Sequence, residues 1–413
     1  MKRLILAVTM FLAAFTLWSS ADAQPGPGVA AKNSQPLLRS AFRVDSKPEW
    51  SLDLRAVIPA GPIKIVGAAR LKNGIVVAEG IAARLLYYSR DLRLARVVDL
   101  KSATRMNPRV HGLQRVNGDT LAVLGTGQGW ILQPSDTLAS ALRYAEVREI
   151  PSSHIDLLLA VLADGSSLWG VMDLGKQRHP PAKRFTDSLD LVVQSSGREI
   201  RKIARLPAMM LGTDSAGNST QMWFYPHHVS ASLHQTFYYG FGTDYVITRL
   251  NPMTGEEKSW RRAWIPHKVT RAEIDEFIEG WSVSWNRQAD SIAVKRAMRN
   301  APFAESVPAF SQFLVSPAQE LWVRTPNLID AQAAGELNQV PLRSSPWSVF
   351  DKGGRWLTEV TLPPGFQPTD IGSDYILGVQ FGMRNGTLSG RERSLILYKY
   401  SRMFIANTAP NTR

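Results

Sequence analysis

Four short strand-like runs separated by tight turns form a unit that recurs along most of this chain, most clearly at 63–100, 110–150 and 311–362. In the first copy, 63–71 leads to the turn Lys72-Asn73-Gly74, then come 75–79, 84–88, a turn at Arg90-Asp91, and 94–100. Asn-Gly favours two-residue hairpin turns, because it tolerates the positive φ they need. A four-stranded sheet of this kind cannot bury its apolar faces alone. Copies must stack, and radial stacking is the logic of a β-propeller.

The second copy reads as 110–116, 120–124, 129–132 and 142–150. The third reads as 154–162, 168–174, 189–194 and 199–206, with a polar insertion at 175–187. The fourth covers 227–232, 236–241, 245–250 and 258–265, and the fifth 311–315, 320–324, 346–350 and 355–362. The sixth supplies only three strands, at 369–372, 375–381 and 393–400, while a spare strand stands at 49–54. Placed beside the sixth copy, the spare strand closes the ring and removes an open edge. The expectation is an all-β, six-bladed β-propeller of four-stranded blades over 49–402, closed by an N-terminal strand, with a tail at 403–413.

One segment departs from the strand pattern. Thr270-Arg271-Ala272-Glu273 is a capping box. Ile274, Phe277, Ile278, Trp281 and Trp285 follow at helical spacing. A helix over 271–286 is expected, with a second over 290–299, giving a helical insertion at about 270–300 between blades four and five. Its apolar stripe predicts packing over those blades, with a lid as the alternative.

The N-terminus has another character. Lys2 and Arg3 precede an apolar run from Leu4 to Trp18, and Ala21-Asp22-Ala23 offers a small-x-small cleavage pattern. The run is shorter than the roughly 20 residues of a spanning helix. Residues 1–23 read as a signal peptide, 24–48 as a loose Pro/Gly-rich lead, and the mature protein as exported to the periplasm or the cell exterior with no integral membrane anchor. The chain has no cysteine, which excludes disulfides, thiolate metal sites, a cysteine nucleophile and a lipid-modified N-terminal cysteine. Its formal net charge is +13, with 34 arginines against 14 lysines. The basic residues are scattered over many turns, and with export this argues against nucleic acid as a partner.

From Arg299 to Arg402 the text carries a resemblance. Asn300-Ala301-Pro302-Phe303, Val307-Pro308-Ala309-Phe310, Leu321-Trp322-Val323, Trp347-Ser348-Val349-Phe350-Asp351, Leu362-Pro363-Pro364-Gly365-Phe366 and Tyr375-Ile376-Leu377-Gly378-Val379 resemble bacterial exported six-bladed propellers of the NHL/TolB-like group. That group marks a blade with Gly-x-Leu-Trp-Val, and Gln319 stands where the glycine would be. Residues 102–108 replace a Gly-Pro-Gly-Glu-Phe-like link, and 383–390 an acidic segment of the last blade. The resemblance implies fold and export, and no chemistry.

Motifs for chemistry are few. The sequence holds no Walker loop, no His-Glu-x-x-His, no EF-type loop and no Gly-x-Ser-x-Gly. Gly125-Thr126-Gly127-Gln128-Gly129 precedes a strand rather than a helix, so it reads as a hairpin turn. One constellation follows from the fold. All first strands run the same way along the channel, so their starts meet at one rim, which gathers Lys64, Arg109, His111, His154, Asp156, His227 and His228. Histidines titrating near neutrality, with Lys64 and Arg109, would form a positive funnel for an anionic ligand. Alternatively, His111, His154 and His227 would bind a divalent metal, with Asp156 or Glu79 as carboxylate. Otherwise these side chains are ordinary channel lining. Trp223, Phe224, Tyr225, Phe237, Tyr238, Tyr239 and Phe241 crowd blade four, as a sugar or peptide platform or as inter-blade core. The expected function is a binding or protein-interaction module of the cell envelope, for an envelope protein, a glycan or a small anionic ligand, with no cofactor. The alternative is a metal-dependent, lactonase- or esterase-like hydrolase.

Overall fold

A computed structural model describes residues 32–33, 35–37, 42–54, 64–101, 110–132, 142–145, 154–173, 184–195, 200–213, 219–285, 295–296, 298–326, 344–384 and 387–402. The expected signal peptide, the tail at 403–413 and Arg109 lie outside the described residues.

Three strands precede the first blade: β1 (Lys32–Asn33), β2 (Phe42–Val44) and β3 (Trp50–Asp53). Blade 1 is β4 (Ile65–Leu71), β5 (Gly74–Glu79), β6 (Arg84–Ser89) and β7 (Leu94–Asp99). Blade 2 is β8 (Val110–Asn117), β9 (Thr120–Gly125), β10 (Gly129–Leu132) and β11 (Leu142–Ala145). Blade 3 is β12 (His154–Val161), β13 (Ser167–Asp173), β14 (Arg184–Gln194) and β15 (Ile200–Thr213), with a fifth strand, β16 (Ser219–Gln221). Blade 4 is β17 (Val229–Leu233), β18 (Thr236–Gly240), β19 (Val246–Leu250) and β20 (Glu257–Arg262). Blade 5 is β21 (Gln312–Val315), β22 (Leu321–Arg324), β23 (Pro346–Phe350) and β24 (Trp356–Thr361). Blade 6 is β25 (Phe366–Ile371), β26 (Tyr375–Arg384) and β27 (Thr387–Arg402).

The innermost strands touch in a closed circuit: β4 meets β8, β8 meets β12, then β17, β21, β25 and β4 again. Adjacent inner strands approach closely. A Cβ on Gly67 would lie 2.6 Å from the Cβ of Leu113 on the next blade. Among the described residues, six apolar cores lie one at each junction of neighbouring blades. Strand β6 shows why the repeat reads as continuous apolar runs. Leu86 and Tyr88 face blade 6, whereas Leu85 and Tyr87 face blade 2. Both faces of each blade are buried, so successive side chains are apolar on both sides of the strand. Each fully buried Leu, Val or Phe contributes roughly 1.5–3 kcal/mol.

The last blade is completed from the N-terminus. Strand β3 runs antiparallel to β27, with Trp50 opposite Leu397 and Asp53 opposite Ser394. Strand β2 continues the same edge, with Phe42 opposite Arg402 and Val44 opposite Tyr400. The lead that reads as loose in sequence also supplies structure. Strand β1 lies parallel on β20 of blade 4, and the Leu37 N–H donates to the Trp356 carbonyl of blade 5 at 3.0 Å. This strap spans the outer edges of blades 4, 5 and 6 in turn. It satisfies backbone groups that sequence periodicity cannot see, because two- and three-residue strands carry no period.

The capping box forms as expected at helix α1 (Arg271–Trp285). The Thr270 N–H donates to Glu273 Oε2 at 2.7 Å, and the Glu273 N–H donates back to Thr270 Oγ1 at 3.3 Å. Its described core side chains pack against residues outside the blade strands. Phe277 and Ile278 pack with Met222, Phe224, Met298 and Ala304, in a core that contains no blade-strand residue. The side chains of Trp281 and Trp285 and most of 290–299 lie outside the described residues. Among the described residues, no helix is long and apolar enough to cross a membrane.

Candidate functional site

The inner strands begin at one rim, called the upper rim here. Lys64 directly precedes β4, His111 is the second residue of β8, His154 opens β12, and His227 and His228 directly precede β17. The strand starts thus fall where the repeat predicts. One blade also extends past the upper rim. Strands β14 and β15 outrun β13, which pairs with β14 only over Ser167–Val171, and the projecting part pairs on through Arg184–Ser188, Pro207–Gly212 and β16. Residues 184–187, which read as polar insertion, belong to this arm. Met222 to Tyr225, which pack in the α1 core, lead in sequence directly into His227.

The structure sorts the predicted residues into groups. His227 and His228 are adjacent, and the Tyr225 ring lies 5.7 Å from that of His227. The His228 N–H donates to the Ala208 carbonyl at 2.8 Å. Its ring stacks on Phe237 and Tyr239, at 6.4 and 6.3 Å. Phe237 and Tyr239 belong to the junction of blades 3 and 4, so His228 fills that junction. His111 sits at the Gly125–Gln128 loop. That loop meets blade 3, where the Gly127 N–H donates to the Asp156 carbonyl at 2.7 Å and Thr126 bridges Leu157. Asp156 is buried. The structure gives His154 only its backbone place, opposite Asp173.

The electrostatics correct one expectation. Burial lowers His111 to about 4, with backbone hydrogen bonds to Gly125 and to its own backbone acting weakly the other way. Burial, with His227 beside it, lowers His228 to about 4. Burial also lowers His227. Desolvation disfavours the imidazolium, so His111 and His228 stay neutral through the physiological range and add no positive charge to a funnel. Among the described residues, Lys64 is the member of the predicted set that brings positive charge to this rim, and it is partly exposed.

The side chain of His154, one of the three proposed metal ligands, lies outside the described residues. Among the described residues, no group of three His, Asp or Glu side chains gathers where it could hold an ion. Glu79 is committed elsewhere. Its carboxylate accepts the N–H groups of Ile81 at 3.0 Å, Ala82 at 2.8 Å and Lys64 at 3.3 Å, and it pairs with Arg84 at 3.5 Å. It is a turn-stapling acid. The blade-four aromatics divide by role. Phe237 and Tyr238 are buried on opposite faces of the blade. Trp223, Phe224 and Tyr225 belong to the α1 core.

At the opposite, lower rim lies a cluster the sequence did not announce. Asp370 Oδ2 on blade 6 accepts the Arg70 N–H of blade 1 at 2.9 Å, the Arg115 guanidinium of blade 2 at 2.8 Å and the Tyr375 hydroxyl at 2.9 Å. Arg115 also donates to the Arg70 carbonyl at 2.6 Å. The Arg70 guanidinium lies 4.9 Å from the centre of the Tyr375 ring. Burial, reinforced by the Asp370 carboxylate, pushes the Tyr375 phenol far above its ordinary range. The network ties three blades across the ring closure.

No protein-family model matches the chain, and no curated protein matches it in sequence. Solved structures do resemble it. An exported protein of Bacteroides fragilis is 12% identical with a TM-score of 0.42, over 90% of this chain and 98% of that one. A DUF4221-family protein of Bacteroides vulgatus is 8% identical with a TM-score of 0.42, over 89% and 100%. A calcium-binding protein, regucalcin, of Agrobacterium tumefaciens is 9% identical with a TM-score of 0.36, over 90% and 97%. These likenesses are distant, and the six-bladed fold stands on the strand pairing and junction cores described above.

Proposed function

We propose that this protein is an exported, non-catalytic binding module that takes a small anionic ligand, such as an acidic sugar, at the upper rim. One observation supports the reading: the starts of the inner strands bring Lys64, His111, His227 and His228 to one rim, past which the β14–β15 arm of blade 3 extends. Concave sites with a few polar groups are where ligands are held. Export is supported by the basic, apolar and small-x-small leader. The positive net charge favours an anion by long-range attraction, and Lys64 supplies a local cation.

Calorimetric titration with galacturonate tests the reading. Because His111 and His228 protonate only near 4, affinity is expected to stay flat from about pH 7.5 to 5.5 and to rise only as pH falls toward 4. Lys64→Ala and His227→Ala are each expected to weaken binding. Binding that is unchanged in both variants would sink the upper rim as the site. Strong zinc binding, with turnover of a lactone or ester, would favour the hydrolase instead.

A further inference from the structure

We propose that the lower rim of blade 1 is a second binding surface, one that takes a linear acidic polysaccharide. The proposal goes beyond the upper-rim reading and does not depend on it. Outside the Asp370 clamp, this part of the rim is built from the β4–β5 and β6–β7 turns. Arg70 stands near the end of β4, Lys72 lies in the first turn, and Arg90 and Arg93 lie in the second. All four are exposed. They follow one another from the channel side to the outer edge of the blade. Four strands at a spacing of about 4.8 Å make that row roughly 14 Å long.

The charge of the row is not neutralised. Among the described residues, none of the four side chains pairs with a carboxylate. Other arginines near this rim do. Arg249 lies 3.5 Å from Glu256, Arg355 2.6 Å from Asp351 and Arg402 2.9 Å from Glu320. The acids nearest blade 1 are used elsewhere. Asp119 accepts the Lys72 backbone N–H at 2.8 Å and faces Arg115 at 3.8 Å. Asp370 is held by Arg115. Within the two turns, Asp91 is the single acid against Lys72, Arg90 and Arg93.

The fold nevertheless holds these groups in place. Arg90 donates to the Lys72 carbonyl from Nε at 3.0 Å and from Nη2 at 2.8 Å, which clips the two turns together. The Arg70 guanidinium rests on the Tyr375 ring. The Ser89 N–H donates to the Arg93 carbonyl at 2.9 Å, and the Arg93 N–H to Ser89 Oγ at 3.3 Å. Leu92 holds a φ of 59°, in the left-handed region that bulky residues rarely adopt. It packs against the core between blades 6 and 1, which anchors the turn. A carbonyl or an aromatic face orients a guanidinium and leaves its charge unspent. A cation ordered beforehand loses little entropy when an anion arrives. The shape of the surface selects the anion. A row confined to one blade suits a chain with an acid on successive residues. A flat anionic membrane would also meet the exposed Asp164, Glu256 and Asp374 around the same rim, and like charge opposes that.

Calorimetric titration with hexagalacturonate, at low and at physiological salt, tests the proposal. The wild-type chain is expected to bind, and more weakly as salt rises. Lys72→Gln, Arg90→Gln and Arg93→Gln combined should weaken binding about tenfold, the loss of three exposed ion pairs together. Arg43→Gln, Lys47→Gln and Lys258→Gln combined remove the same charge from other exposed positions and should change affinity by less than about twofold. His227→Ala, directed at the upper rim, should leave hexamer affinity at the wild-type value, so the two sites fail independently. Should the blade 1 triple variant not fold, Arg93→Gln alone is expected to weaken binding about twofold. Absence of hexamer binding overturns the proposal. Equal weakening in the two triple variants overturns it too, because net charge alone would then act. Weakening by His227→Ala to the same degree would move the polymer to the upper rim. Tighter binding to phosphatidylglycerol vesicles at equal anion concentration, lost in the blade 1 triple variant, would make the partner a membrane and overturn the polysaccharide.

Discussion

The two rims of the channel are built from the same strands yet satisfied in opposite ways. At the lower rim one carboxylate, Asp370, answers a backbone N–H, a guanidinium and a phenol from three blades. At the upper rim burial lowers the imidazoles of His111, His227 and His228 and favours their neutral form. The lower rim is a clamp whose groups are spent on one another. The upper rim gathers its polar groups without such pairing to a carboxylate among the described contacts. Paired charges tie the ring at one rim, whereas burial keeps the imidazoles neutral at the other.

The largest expected break of this contrast is Asp370→Ala. It leaves the Arg115 guanidinium with no acid but Asp119, 3.8 Å from it, and removes the tie between blades 6, 1 and 2. A loss of about 3–5 kcal/mol is expected, as for one partner of a buried pair, measured by denaturant unfolding. If the variant unfolds like wild type, the lower rim is not a clamp. His111→Ala at the upper rim should cost visibly less.

A second break is by pH. His111 and His228 protonate near 6.5 when unfolded but only near 4 when folded. Below about pH 6.5 the unfolded chain takes up protons that the folded chain refuses. Stability is therefore complete above pH 6.5 and declines as pH falls toward 4, by at most about 1.4 kcal/mol per pH unit for each imidazole. Melting temperatures from pH 7 to 4.5 should show the decline, and His228→Phe should flatten it. A wild-type curve without slope in that window would mean that the upper rim is wet and its imidazoles are ordinary.

Smaller effects sharpen the picture. Thr270→Ala removes the α1 cap at a cost of about 1 kcal/mol. Hydrogen exchange should place that loss in α1, and equal loss in β19 would show that α1 unfolds together with blade 4. Smallest is a gain. Gln319 adopts a φ of 62° in the turn between β21 and β22 at the lower rim, a conformation that costs a side chain but not glycine. Gln319→Gly is expected to stabilise by about 0.5–1 kcal/mol, seen as a small upward shift in melting temperature.

Much of this was legible in the residues. Apolar runs bounded by turns located the blades, since a strand buried on both faces has no polar alternation to hide it. Thr270 and Glu273 announced the start of α1, because capping is local chemistry three residues long. The departure at Gln319 also carried meaning, since it marks a position with positive φ. The strap at Lys32–Asn33 was not legible, because its strand gains order only from the β20 edge. Nor was the arm beyond Ser188, whose pairing continues past the blade that starts it.

The sequence by itself determined the number of blades, the direction of each inner strand and hence which residues reach which rim, because turn chemistry and apolar runs act over a few residues. It also placed a helix between blades 4 and 5. The tertiary structure alone decided what those residues do. Asp370 meets Arg70 across a sequence separation of 300, a contact made only when the ring closes. Whether His111 and His228 carry charge is likewise not a property of histidine but of the desolvation around it, and that exists only once the blades have packed.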